Sequence, residues 1–239
     1  MIEQKLAELT RRLKDAAGNN LRAVVLYGSG TTNEFSSKHS DLNILCIVGD
    51  AENKELERLH PAVEWWMGRG NPAPLVFTLE ELGRSADVFA IELVDMKLRH
   101  RMLYGDDFFE QFEVPLRLHA LQLERELRTN WVRLREAVLA APQRKKAHLA
   151  IMVSSVSSFC TLFRHAVWAL NNQMPATKRE AVDGVATLTG ANPAAFQAIL
   201  ELREGKRKAR HIDIEETLHG YLELVEVVTN EVDRRLDSQ

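Results

Sequence analysis

Apolar positions recur at helical spacing from the start of the chain. Ile2, Leu6, Leu9, Leu13 and Ala16 share one face, and Gly18-Asn19-Asn20 ends the run. The period then changes. Leu21–Tyr27 is a short, β-branched apolar stretch that predicts a buried strand. Residues 28–40 are mostly Gly, Ser, Thr, Asn and charged side chains, which predicts a loop. A second strand is expected over 41–48. A helix is expected over 52–68, with Leu56, Leu59, Val63 and Trp66 along one face. Past the turn Asn71-Pro72-Ala73-Pro74, Leu75–Thr78 predicts a third strand. Thr78-Leu79-Glu80-Glu81 has the form of a capping box, so a short helix starts there. Residues 89–105 mix apolar and charged positions and end in Leu103-Tyr104-Gly105. They are expected to close the sheet as a strand or turn.

Beyond Pro115 the pattern is helical throughout. Residues 116–140 repeat through Leu118, Leu121, Leu127, Trp131, Leu134 and Val138. Residues 146–171 repeat through Leu149, Met152, Val156, Phe159, Phe163 and Val167. Shorter helices fit 176–189 and 193–203, and a long one fits 213–236. No strand signal follows residue 115. The expected architecture is α+β, a mixed sheet with helices over residues 1–114 followed by an all-α helical bundle over 115–239.

Composition narrows the class. The chain has 239 residues, 45% of them hydrophobic and 27% charged, enough for a core and too polar for a disordered or membrane-embedded chain. No run approaches the roughly 20 apolar residues of a membrane span, and the charged, amphipathic N-terminus has no signal-peptide core. Two cysteines, in apolar surroundings, make no disulfide framework, so a cytoplasmic location is expected. Residues 1–110 hold 13 Lys and Arg against 18 Asp and Glu, a net of −5, and the remainder 18 against 16, a net of +2. Neither half is basic enough to make duplex nucleic acid a main partner.

The candidate chemistry lies in VVLYGSGTTNEFSSKHSDLNILCIV, residues 24–48. A strand that runs into Gly28-Ser29-Gly30 offers backbone amides and the Ser29 hydroxyl at a tight turn, a setting that suits phosphate oxygens. Asp41 and Asn43 stand two apart on the expected second strand and so share a face, while Leu42, Ile44, Cys46 and Val48 take the other. Polar groups opening an otherwise buried strand suit a metal site.

Together these pieces resemble the nucleotidyltransferase superfamily, the fold of DNA polymerase beta and of the aminoglycoside nucleotidyltransferases. Its signature is an apolar strand, Gly-Ser, a loop, then Asp-x-Asp/Glu on the next strand, with a third acid on a later strand. LYGS at 26–29 matches, as does Asp41. Residues 74–82 and LYGDD at 103–107 also look like the ends of such domains, and the helical half resembles the bundle that follows them. The resemblance implies a nucleotide triphosphate held at Gly28 and Ser29, with Asp41 and Asn43 as the catalytic pair and Asp41 as the metal ligand. It also implies Mg²⁺ as cofactor and an acceptor in a cleft between the domains. In reactive members three carboxylates hold two Mg²⁺. Here Asn43 replaces the second carboxylate, and the strand Leu75–Thr78 that should carry the third has no acid; Glu92 and Asp95 are the nearest substitutes. The expectation is therefore a bacterial-type protein that binds a nucleotide with weakly held Mg²⁺ and has weak or lost transfer activity. The alternative is a pseudoenzyme, a non-enzymatic regulatory or interaction protein on a degenerate nucleotidyltransferase fold.

Other features read as structural. The basic run 205–211 suits a solvated loop after a helix. Ser154, Ser155, Ser157 and Ser158 suit close helix packing, His39 a solvated loop, and Trp65-Trp66 a core. No His follows an Arg at the spacing of the RNase motif found in helical partners of some small nucleotidyltransferases. The long amphipathic helices admit a homodimer through the second half.

Overall fold

The computed structural model describes residues 2–32, 41–142 and 144–236. The chain divides into two compact units, Met1–Arg117 and Leu118–Gln239.

The first unit is built on a four-stranded mixed sheet in the order β3-β2-β1-β4. The strands are β1 (Leu21–Tyr27), β2 (Asn43–Val48), β3 (Leu75–Thr78) and β4 (His100–Tyr104). β1 pairs antiparallel with both β2 and β4, and β2 pairs parallel with β3. Alternation along the central strands divides the core in two. Val24, Leu26, Ile44, Cys46 and Val48 meet α1 (Ile2–Ala17) through Leu6, Leu9 and Leu13, and α2 (Asn53–Met67) through Leu59, Ala62 and Trp66. Ala23, Val25, Leu45 and Ile47 meet Leu82 of α3 (Leu79–Arg84), and Leu93 and Met96 of α4 (Ala90–Leu98). Each large side chain so buried contributes about 1.5–3 kcal/mol. Leu56 of α2 points outward, 41% exposed, and Ala62 takes a place in the buried stripe.

The capping box forms as expected. Thr78 Oγ1 accepts from the Glu81 amide at 3.1 Å, and Glu81 Oε2 accepts from the Thr78 amide at 2.8 Å. The segment 89–105 closes the sheet through β4 as expected, but its first part is helical rather than strand or turn. It forms a two-turn helix, α4, and passes into β4 through the single residue Arg99.

The second unit is helical: α5 (His119–Ala140), α6 (Lys145–Asn171), α7 (Lys178–Thr189), α8 (Ala194–Arg203) and α9 (Ile214–Leu236). Its center is aromatic. Phe196 lies flat on Tyr221 at 4.0 Å, with Phe159 and Phe163 packed around them. The buried stripe of α5 runs through His119, Leu123, Leu127 and Leu134, whereas Leu121 is 64% exposed. Although no run of about 20 apolar residues occurs, one helix among the described residues, α6, is by length and composition long and apolar enough to cross a membrane. In this fold its Met152, Val156, Phe159 and Phe163 are buried, and it packs on α5, α7, α8 and α9.

Two serines of α6 are engaged within the helical unit. Ser154 donates to the Ile151 carbonyl at 2.9 Å, and Ser155 bonds the buried Tyr221 hydroxyl at 2.9 Å. In the basic run, Lys206 pairs with Glu204 and Arg207 with Glu201. Trp66 is fully buried, and Trp65 lies under the guanidinium groups of Arg12 and Arg69.

Candidate functional site

At the end of β1 the backbone turns through Gly28, whose φ of +73° disfavours any residue with a side chain. A 3-10 turn over Gly28–Thr31 follows. Thr31 Oγ1 donates to the Gly28 carbonyl at 2.8 Å, and the Thr32 amide and hydroxyl both reach the Ser29 carbonyl at 3.2 Å. The turn abuts β2, since a Cβ on Gly28 would lie 3.5 Å from Asn43 Nδ2. Sequence reasoning left the amides of this turn open for phosphate. The Gly28 amide, however, donates to the Arg99 carbonyl at 3.0 Å, so that donor is already engaged.

The predicted alternation of the next segment holds. Leu42, Ile44, Cys46 and Val48 belong to the core beneath α1 and α2. Leu45 and Ile47 face α3 and α4, and by the two-residue period of a strand Asn43 shares their face. Asp41 lies two residues before the first residue of β2 and is exposed, where the sequence had placed it on the strand. His39 lies outside the described residues.

The structure places neighbors around the motif. Tyr27 is opposite Asn43 across β1–β2 and opposite His100 across β1–β4. Tyr27 packs against the core beneath α3 and α4, and the His100 ring lies 4.8 Å from that of Phe109 in the same core. Asn43, Tyr27 and His100 thus form a polar row across one end of the sheet. Glu92 and Asp95, the two acids without an assigned place, both lie on α4, a helix rather than a later strand. Burial, and after it the negative charge of Glu92, hold the Tyr27 phenol above its usual range. An acid therefore acts on this row from the helix above it. Tyr27 stands within the LYGS stretch, but no sequence signal marked His100 or its place beside Tyr27, which follows from strand register.

The donor set bears on the metal. Among the described residues, no group of three His, Cys, Asp or Glu side chains is arranged to hold an ion. One exposed carboxylate and one amide oxygen do not fit two resident Mg²⁺ ions. They do fit a single Mg²⁺ arriving on a triphosphate, which supplies most of its oxygen ligands itself.

No protein-family model matches the chain, and no curated protein matches it in sequence. Among solved structures, one that resembles it is the spectinomycin adenyltransferase from Enterococcus faecialis, crystallised with ATP and spectinomycin. The two align with a TM-score of 0.60 at 12% identity, over 94% of this chain and 99% of that one. At that identity the likeness is one of fold, an α+β sheet unit followed by helices.

Proposed function

We propose that the first unit binds a nucleotide triphosphate as its Mg²⁺ complex at Gly28, Ser29 and Asp41, with weak or lost transfer of the nucleotidyl group to an acceptor. The observation that carries this reading is the close approach of Gly28 to Asn43 at the end of a sheet, where an added Cβ would reach the Asn43 side chain, on a fold shared with a protein solved with ATP. In this reading the Ser29 hydroxyl meets a phosphate oxygen, and Asp41 ligates the ion that the nucleotide brings. Asn43 offers an amide oxygen where reactive superfamily members carry a carboxylate. It cannot neutralise a second cation, so activation of an acceptor hydroxyl is the step that suffers. Glu92, whose charge acts on Tyr27, is the acid we assign as a base for whatever transfer survives.

The engaged Gly28 amide favours a second reading, in which the fold serves as a non-enzymatic sensor or interaction module. Calorimetric titration with ATP, GTP, CTP and UTP, with and without Mg²⁺, decides between them. Mg²⁺-dependent binding that Asp41→Ala removes supports the first reading. Absence of binding by all four nucleotides sinks it.

A further inference from the structure

We propose that His100 is a positioning residue that sets the Gly28 turn against Asn43. Its consequence for nucleotide binding rests on the reading given above. The Gly28 amide is fixed by the Arg99 carbonyl at 3.0 Å, so the place of the turn depends on where the Arg99 peptide lies. Arg99 is the only residue between the end of α4 at Leu98 and the start of β4 at His100. Its own amide returns to the last turn of α4, to Asp95 O at 2.9 Å and Met96 O at 3.3 Å.

The imidazole of His100 closes this corner from the other side. Nδ1 lies 3.0 Å from the Lys97 carbonyl, and Nε2 lies 2.9 Å from Asp107 Oδ2. Both partners are acceptors, and each faces one ring nitrogen at hydrogen-bond distance. Asp107 is itself held, because its Oδ1 accepts the Phe109 amide at 3.0 Å. Phe109 is fully buried and packs against the imidazole. Lys97 Nζ adds a bond to the Phe112 carbonyl at 2.7 Å, tying α4 to the same segment. Both ring nitrogens of His100 are therefore spent on the protein, which makes it a positioning group rather than one that touches substrate. The Asp107 in the LYGDD stretch is the anchor at the far end.

Hydrogen exchange resolved at single amides tests this in the full chain. His100→Ala is expected to speed exchange at Gly28 by about tenfold or more while Val25 and Leu45, mid-strand, keep their protection. His100→Asn, whose amide still donates to the Lys97 carbonyl, recovers most of it. Asp107→Asn keeps the Phe109 cap, weakens the imidazole bond, and gives a smaller increase confined to the same corner; it also serves if His100→Ala does not fold. Affinity for Mg²⁺-ATP should fall about tenfold in His100→Ala and return in part in His100→Asn. Unchanged exchange at Gly28, or an equal rise at Val25 and Leu45, overturns the proposal. A wild-type protein that binds no nucleotide removes the functional reading, while exchange at Gly28 still decides the role of His100.

Discussion

His119 Nε2 lies 2.8 Å from His165 Nδ1 inside the helical unit, and both side chains are buried. One ring donates and the other accepts, so the pair is satisfied without a full charge on His119. Burial first, and the neighboring His165 second, push the His119 imidazole down to about 4. The unfolded chain binds a proton near pH 6.5 that the folded chain refuses. Stability is therefore complete above that pH and is lost as pH falls toward 4, by about 1–3 kcal/mol. Urea unfolding at neutral and acid pH should show this loss in the wild type. His119→Gln should flatten it, and an unchanged pH dependence in that variant would refute the assignment.

Tyr221 and Ser155 supply a second test. The Tyr221 hydroxyl bonds Ser155 Oγ at 2.9 Å, and Ser155 is also 2.9 Å from the Ile151 carbonyl. Tyr221→Phe leaves Ser155 its helical partner and should cost about 0.5–1.5 kcal/mol. Ser155→Ala leaves the buried phenol with only the distant Met152 carbonyl at 3.5 Å and should cost about 1–3 kcal/mol. Denaturant melts of both single variants and the double give the coupling. A coupling near zero would mean the hydrogen bond adds nothing to the stacked aromatic core.

Much of the fold was legible because burial on one side leaves a period in the sequence. Leu42, Ile44, Cys46 and Val48 alternate because one core takes them all, and Thr78 with Glu81 announces a helix start through local bonding. The helix that opens the segment after residue 89 was not legible for two reasons. Ala90, Ile91, Leu93 and Met96 cover less than three turns, and no Gly or Pro marks the change at Arg99. On α5 the first buried position is His119, a polar residue that belongs inside only because His165, 46 positions away, meets it. That moved the buried stripe to Leu123 and left Leu121 outside. At the candidate site, Gly28, Ser29, Asp41 and Asn43 could be named from a local motif. His100 could not, nor could the places of Tyr27 and Glu92 beside it, since strand register and helix packing bring them there.

The link between Glu92 and Tyr27 predicts a titration. With Glu92→Gln the negative charge goes and burial stays, so the Tyr27 phenol should titrate lower, nearer its ordinary range, while remaining raised. The phenolate absorbance of the variant, with Tyr27→Phe to assign the signal, measures it. An identical Tyr27 titration in both proteins would place Glu92 away from the row and remove it as a candidate base.

Gly105 and Gly70 separate two costs that glycine positions carry. Both have φ of +81°, so alanine at either pays about 1–2 kcal/mol for left-handed backbone. A Cβ on Gly70 would meet open space. On Gly105 it would stand 2.2 Å from the Arg22 carbonyl oxygen and 3.1 Å from Ala23 Cα, both backbone atoms of β1 that cannot step aside. Gly105 is where the chain leaves β4 for Asp107, so displacing it also pulls on the His100 anchor. Gly70→Ala should lower thermal stability by a few degrees at most. Gly105→Ala should cost more than about 4 kcal/mol, or prevent the first unit from folding, because strain and backbone clash add. Equal losses in the two variants, measured by thermal unfolding, would show that the β4 exit relaxes freely and that this close approach to β1 is not needed for the fold.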